Sequence, residues 1–224
     1  MTFSIVARCA ETGMFGVAVS SSSPAVAARC AYARAGAGAV ASQNVTDPTL
    51  GTRGLDLLAQ GATAAETVGI LRRTGKHIDY RQVLAVDGDG NTAIFTGGNV
   101  LGTFADASAS NVIAAGNLLA DTGVPQAMVD GFSSAKGHIG DRLIAAMRAA
   151  VAAGGEEGPV HSAGMKLVRE VAWPVAELRC DWTEECPIEA IAEAWRVYKP
   201  QLDDYVTRAL DPTQAPSYGV PGDE

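Results

Sequence analysis

The second residue of the chain is a threonine, and the first chemistry to consider is its own. Methionine is removed from a nascent chain when the residue behind it is small. Removal of Met1 would leave Thr2 with a hydroxyl and a free α-amine a few bonds apart. An α-amine has an ordinary pKa of about 7.7, so it serves as a general base near neutrality without help from a histidine. Thr2 is therefore the candidate nucleophile, its hydroxyl attacking a carbonyl while its amine takes the proton. Threonine is also a common opening residue of a β-strand, so position alone does not decide the matter.

The surrounding pattern adds polar groups that a reaction would use. Residues 2–9 and 14–21 alternate as two strands around the short turn Ala10-Glu11-Thr12-Gly13, which makes a hairpin. Counted back from that turn, Thr2 lies opposite Ser20, Ser21 and Ser22, whose hydroxyls are candidates to orient its amine; a solvated turn is the alternative. The cluster Ser42-Gln43-Asn44-Val45-Thr46-Asp47 ends a Gly/Ala-rich strand, and Gln43 and Asn44 are candidates to face the same cleft. Asn117 emerges from an apolar strand and is suited to donating to a developing oxyanion, or else to capping a helix or forming a turn. Arg29 and Arg53 are the guanidinium groups available for an anionic substrate.

Other signals lead away from chemistry. His77, His138 and His161 are isolated from each other and from metal-ligand spacings, so no metal and no cofactor are expected. Asp87-Gly88-Asp89-Gly90 lacks the further oxygen ligands and closing Glu of a calcium loop and reads as a hairpin turn. The Gly-rich stretch before Gln43 carries neither a dinucleotide nor a Walker pattern.

These groups need a frame. After the hairpin comes a strand over 35–43, whose small residues suit packing on both faces. Two helical pieces over 50–74 break at Gly61-Ala62-Thr63, strands at 81–86 and 92–96 flank the Asp-Gly turn, and a further strand covers 111–115. Helices over 124–134 and 138–153 precede strands at 162–169 and 176–180. The last helix opens at Pro187 with an aromatic stripe of Trp195, Tyr198 and Tyr205, which reads as core or interface, and Pro200 should kink it. Helices in consecutive pairs between groups of antiparallel strands argue against alternating βαβ winding. The fold class is α+β: two stacked antiparallel sheets with helices outside, a four-layer αββα sandwich. Residues 1–210 form one domain, and the Pro/Gly-rich 211–224 a loosely ordered tail.

Composition fits a compact globular chain: 224 residues, 47% hydrophobic and only 19% charged. The net charge of −8 and the absence of a Lys/Arg cluster argue against nucleic acid and against an anionic membrane surface. No apolar run approaches a bilayer span and no basic leader precedes Phe3. Four cysteines, Cys9, Cys30, Cys180 and Cys186, without C-x-x-C spacing suggest reduced thiols and the cytoplasm. A small-molecule substrate and a homodimer or other small homo-oligomer are the expected partners.

Several stretches carry a resemblance. They are Met1-Thr2-Phe3-Ser4-Ile5-Val6-Ala7, Glu11-Thr12-Gly13 with Gly16-Val17-Ala18-Val19, and the run from Ala33 to Gln43. Arg53-Gly54-Leu55, Ala115-Gly116-Asn117-Leu118-Leu119 and Ala176-Glu177-Leu178-Arg179 complete the set. Together, from Met1 to about Lys199, they resemble a poorly characterised bacterial family of predicted N-terminal-nucleophile (Ntn) hydrolases, in the superfamily that includes the proteasome. The resemblance implies the αββα sandwich and makes Thr2 the nucleophile by position. Members of that superfamily often keep a lysine beside the nucleophile, whereas this chain has none before Lys76. Arg29 or Arg34 would have to supply the charge, and because a guanidinium stays protonated the α-amine is left as the base. A catalytically silent protein of the same fold, or a self-assembling peptidase, are the alternatives.

Overall fold

The computed structural model describes residues 2–222, so Met1 and the last two residues of the tail lie outside the described residues. The strands are β1 (Thr2–Arg8), β2 (Phe15–Ser21), β3 (Ala31–Arg34), β4 (Gly38–Asn44), β5 (Arg81–Val86), β6 (Thr92–Thr96), β7 (Ala105–Ala109), β8 (Val112–Asn117), β9 (Ser162–Val168) and β10 (Ala176–Cys180). The helices are α1 (Ala27–Cys30), α2 (Pro48–Ala59), α3 (Ala64–Thr74), α4 (Val124–Ser134), α5 (Ile139–Ala152), α6 (Pro187–Tyr198) and α7 (Leu202–Leu210). The strands form an antiparallel six-stranded sheet, ordered β10-β9-β2-β1-β8-β7, and an antiparallel four-stranded sheet, ordered β3-β4-β5-β6.

Three apolar layers hold the sandwich together, and side-chain alternation along the strands sorts residues among them. Val6, Val17, Val19, Ile113 and Ala115 of the larger sheet meet Ala39, Ala41, Leu84 and Val86 of the smaller one. On its other face the larger sheet presents Phe3, Ile5, Ala18, Met165 and Leu167 to Met128, Phe132, Leu143 and Met147 of α4 and α5 and to Ile188 and Trp195 of α6. The outer face of the smaller sheet, through Val40, Val83 and Ala85, packs under Leu50, Leu55, Leu58, Val68 and Leu71 of α2 and α3. This is the αββα sandwich expected from the order of elements.

Local chemistry explains the element ends. Asp47 accepts from Thr49 N at the start of α2, with Pro48 in its first turn. Thr63 and Glu66 form a reciprocal capping box on α3. In the β5–β6 turn, Asp87 accepts from Asp89 N and Asn91 N, and its other oxygen accepts from Ala64 N, tying the hairpin to α3. Pro200 divides the last helix: a short 3-10 turn over Lys199–Gln201 separates α6 from α7. Of the aromatic stripe, Trp195 is core and donates to Asp141, while Tyr198 stacks on Tyr205 at 5.4 Å. Arg208 lies over the Tyr218 ring and donates to Pro216 O, so this part of the tail folds back on α7. No helix among the described residues is long and apolar enough to cross a membrane.

Three elements differ from expectation. The strand expected over 35–43 is the second half of a hairpin: β3 precedes it, residues 35–37 turn, and β4 runs on to Asn44. Ala31-Tyr32-Ala33-Arg34 carries too few branched residues to announce a strand. β7, Ala-Asp-Ala-Ser-Ala, is a largely exposed edge strand without large apolar residues. α1 is a single turn after the serine run.

Gly38 lets β4 start. Its φ is +155°, and a Cβ there would run into the Val86 carbonyl oxygen and lie 2.9 Å from Leu58 Cδ1. Gly38→Ala should lower stability by about 1–3 kcal/mol, read as a lower urea midpoint at unchanged m-value. An unmoved midpoint would show that β4 does not depend on this glycine.

Candidate active site

The central strand of the larger sheet begins with Thr2. β1 lies between β2 and β8, with Phe3 opposite Ser20 and Thr2 opposite Asn117. Thr2, Ser4 and Val6 alternate onto the face turned to the smaller sheet, while Phe3 and Ile5 face the helices. Thr2 is 4% exposed, and its Oγ donates to Ser21 Oγ at 3.4 Å. Ser21 Oγ in turn accepts from Ser23 N at 3.0 Å.

Behind Thr2 a chain of buried side chains crosses between the sheets. Ser4 Oγ donates to Gln43 Oε1 (2.6 Å), and Gln43 Nε2 donates to Gln82 Oε1 (2.7 Å) and to the Ala115 carbonyl (3.2 Å). Gln82 Nε2 donates to Thr96 Oγ and to the Gly116 carbonyl. Backbone carbonyls accept only, so they orient both glutamine amides and leave Gln82 Oε1 as an acceptor. Asn117 Nδ2 approaches that oxygen at 3.5 Å, the long limit of a hydrogen bond. Its Oδ1 is buried and has no hydrogen-bond partner among the described residues.

That polarity bears on the role expected of Asn117. With Nδ2 turned to Gln82, Asn117 offers an acceptor beside Thr2, whereas an oxyanion needs a donor. The remaining expected residues divide. Ser21 and Gln43 stand with Thr2 and Ser4. Ser20 points to the helical side and donates to the Ser162 carbonyl, and Ser162 Oγ donates to Ser23 O and accepts from Val26 N. Ser22 contributes its backbone N–H to Glu156. Asn44, in the left-handed region at φ +75°, donates to Tyr80 O and accepts from Leu101 N, holding two loops at the end of β4. Arg29 donates to Pro24 O and Ala25 O and braces the turn after the serine run. Arg53 is remote from Thr2: it sits on α2, donates to Thr74, and has the smaller sheet between it and Thr2.

Ser4, Gln82 and Glu156 were not anticipated. Ser4 and Gln82 were legible as polar residues at inward positions of apolar strands. Glu156 had no such signal, since Gly154-Gly155-Glu156-Glu157-Gly158 reads as a solvated acidic loop. It is instead 3% exposed, and both carboxylate oxygens accept from Ser22 N at 3.2 Å. Burial pushes its carboxyl up to about 7, against the lowering effect of the Ser22 hydrogen bond and of nearby His161.

A family model described as a family of unknown function, DUF1028, matches residues 2–191. The chain belongs to this family. A crystal structure of a family member from Silicibacter pomeroyi is 30% identical, with a TM-score of 0.82 over 88% of this chain and 89% of that one. DUF1028 thus carries its fold between sequences that differ at most positions. HslV from Trypanosoma brucei is similar at 12% identity and a TM-score of 0.45, over 76% of this chain and 100% of that one. Anbu, an ancestral beta-subunit from Yersinia bercovieri, is similar at 10% identity and 0.40, over 89% and 96%. No match is found among the curated proteins.

The buried amide chain yields a prediction. Gln43→Leu removes the acceptor of Ser4 and a donor to both Gln82 and Ala115, and should cost about 1–3 kcal/mol for the groups left unsatisfied. Chemical denaturation checks it; a variant as stable as the wild type would mean that the chain of amides does not brace the two sheets.

Proposed function

We propose that this DUF1028 protein hydrolyses a small amide-type C–N bond with Thr2, exposed by removal of Met1, as nucleophile. The observation that carries the reading is the position of the Thr2 hydroxyl: at the start of β1, buried between the sheets, beside Ser21 and in front of an oriented chain of carboxamides. A threonine that merely opened a strand would need no polar groups assembled behind it in an otherwise apolar interface.

In this reading Thr2 Oγ attacks the substrate carbonyl while the α-amine takes the hydroxyl proton. The O–C bond forms, the tetrahedral centre collapses, and the C–N bond breaks as the amine passes that proton to the leaving nitrogen. Water, deprotonated by the same amine, then cleaves the acyl ester and restores Thr2. Asn117 Oδ1 accepts an N–H at the reacting centre, and the oxyanion falls to a backbone N–H of the cleft. Substrates are small molecules, since the buried hydroxyl excludes a large partner from close approach.

Thr2→Ala should reduce turnover of a responsive amide by roughly a thousandfold or more while leaving the denaturation midpoint nearly unchanged. Thr2→Ser keeps the hydroxyl and the amine and should retain measurable activity. An uncleaved N-terminal extension should be as damaging as Thr2→Ala, because it turns the basic amine into a non-basic amide, whereas a C-terminal tag should be harmless. Assays on a panel of small amides, with each protein's intact mass confirmed, check this. Full activity from the extended protein would end the reading.

A further inference from the structure

Among the described residues β1 begins at Thr2, and its two neighbours run on past that level. On one side the chain beyond β2 continues to Ser22, whose N–H points at the Glu156 carboxylate. On the other side the chain beyond β8 continues through Leu118 to Leu119, which forms a bridge with Glu156; Glu157 N donates to Leu118 O and Ala120 N to Gly155 O. Glu156 therefore joins the two strands that flank β1 just past the point where β1 begins. The space in line with β1 is the space into which a liberated Thr2 amine would project.

The loop is built to hold the carboxylate there. Gly154 and Gly155 both have positive φ, at +109° and +60°, and bring the chain back sharply from the end of α5. A cavity of about 230 Å³ lined by Phe3, Gly155, Glu156, Val160 and Cys186 lies against the helical side of the same strand start. A carboxylate this deeply buried is costly unless partners offset it, and those it has among the described residues are the Ser22 backbone N–H, the Ser22 side chain and the charge of nearby His161.

We propose that Glu156 is a positioning residue for the Thr2 α-amine, receiving its N–H and setting the pH at which it gives up its proton. This rests on the reading of Thr2 as the N-terminal nucleophile. An ionised Glu156 holds the amine as ammonium up to higher pH, and without that charge the amine gives up its proton, and becomes a base, at lower pH. The two groups titrate as a pair, and burial, the largest effect on the carboxyl, raises it toward the ordinary range of an α-amine. The other titratable groups facing this carboxyl are His161, whose Nδ1 lies 2.8 Å from the Thr183 carbonyl and whose ring stacks on Trp182, and the Cys186 thiol across the cavity. Glu157 is its exposed neighbour.

The test follows the amine directly. In protein beginning at Thr2 and carrying carbon-13 at Thr2, the Cα and Cβ shifts are titrated with pH in wild type, Glu156→Gln and Glu157→Gln. Removing the carboxylate should lower the amine midpoint by on the order of one unit or more, with Glu157→Gln unmoved. The acid limb of the turnover profile should move to lower pH by the same amount. A folded Glu156→Gln protein with an unshifted midpoint overturns the proposal. If that variant fails to fold, wild-type protein labelled at the Glu156 carboxyl decides. Its midpoint should be lower in the chain beginning at Thr2 than in an N-terminally extended chain, and equal midpoints overturn the proposal. Loss of turnover in Thr2→Ala with no amine shift rejects the role of Glu156 alone. An amine shift with turnover intact in Thr2→Ala rejects the nucleophile and leaves the contact standing.

Discussion

The register of β1 between β2 and β8 is the constraint on which the site depends. Side chains alternate along a strand with a period of two, so sliding β1 by one residue would carry Thr2 and Ser4 to the helical face and bring Phe3 and Ile5 between the sheets. Pairing of Phe3 with Ser20 and of Thr2 with Asn117 prevents this, because the inter-sheet layer is filled by Val6, Val17, Val19 and Ile113 and the helical layer by Phe3, Ile5 and Met165. The apolar residues thus decide where the hydroxyl of Thr2 points. Register, a property of the core, positions a group at the strand's end.

Polar groups between two sheets would ordinarily weaken the sandwich, and here they are nearly all paired. Ser4, Gln43 and Gln82 bind each other and two carbonyls of β8, so the amides link the sheets where the small residues of β4 leave room for them. Such a network is rigid when complete and costly when broken. The unfilled position among its described members is Asn117 Oδ1, beside Thr2. Glu156, a buried carboxylate held by Ser22, lies near the same end of β1. An unsatisfied amide oxygen and a buried carboxylate near the start of β1 are what a site awaiting an N–H donor looks like.

Much of the frame was legible in the sequence because its signals are local and strong. The hairpin turn, the break at Gly61-Ala62-Thr63, the Asp87-Gly88 turn and the split at Pro200 each rest on a Gly that tolerates turn conformations or a Pro that interrupts a helix. The same reasoning placed Thr2 opposite the serine run. It stumbled where side chains are small: β3 and β7 are Ala-rich edge strands whose existence is decided by the neighbour they pair with. The site was harder still. Asn117 was visible, but whether it offers its N–H or its oxygen depends on Gln82 and on the Gly116 carbonyl, 35 residues apart in one case and set by pairing in the other. Arg53 had the right chemistry and the wrong layer. Glu156, in a glycine-rich acidic loop, becomes a buried group only once β2 and β8 are brought to either side of it.

The account stands on Thr2 carrying a reactive hydroxyl beside its own free amine, and covalent trapping tests that most directly. Untagged protein is treated with a small acylating β-lactone, and its mass and fragments are read before and after. The account predicts a chain that begins at Thr2 and gains one acyl group as an ester on the Thr2 hydroxyl. A chain that keeps Met1, or one whose adduct sits on a cysteine or another serine while the Thr2 peptide is unmodified, would contradict it.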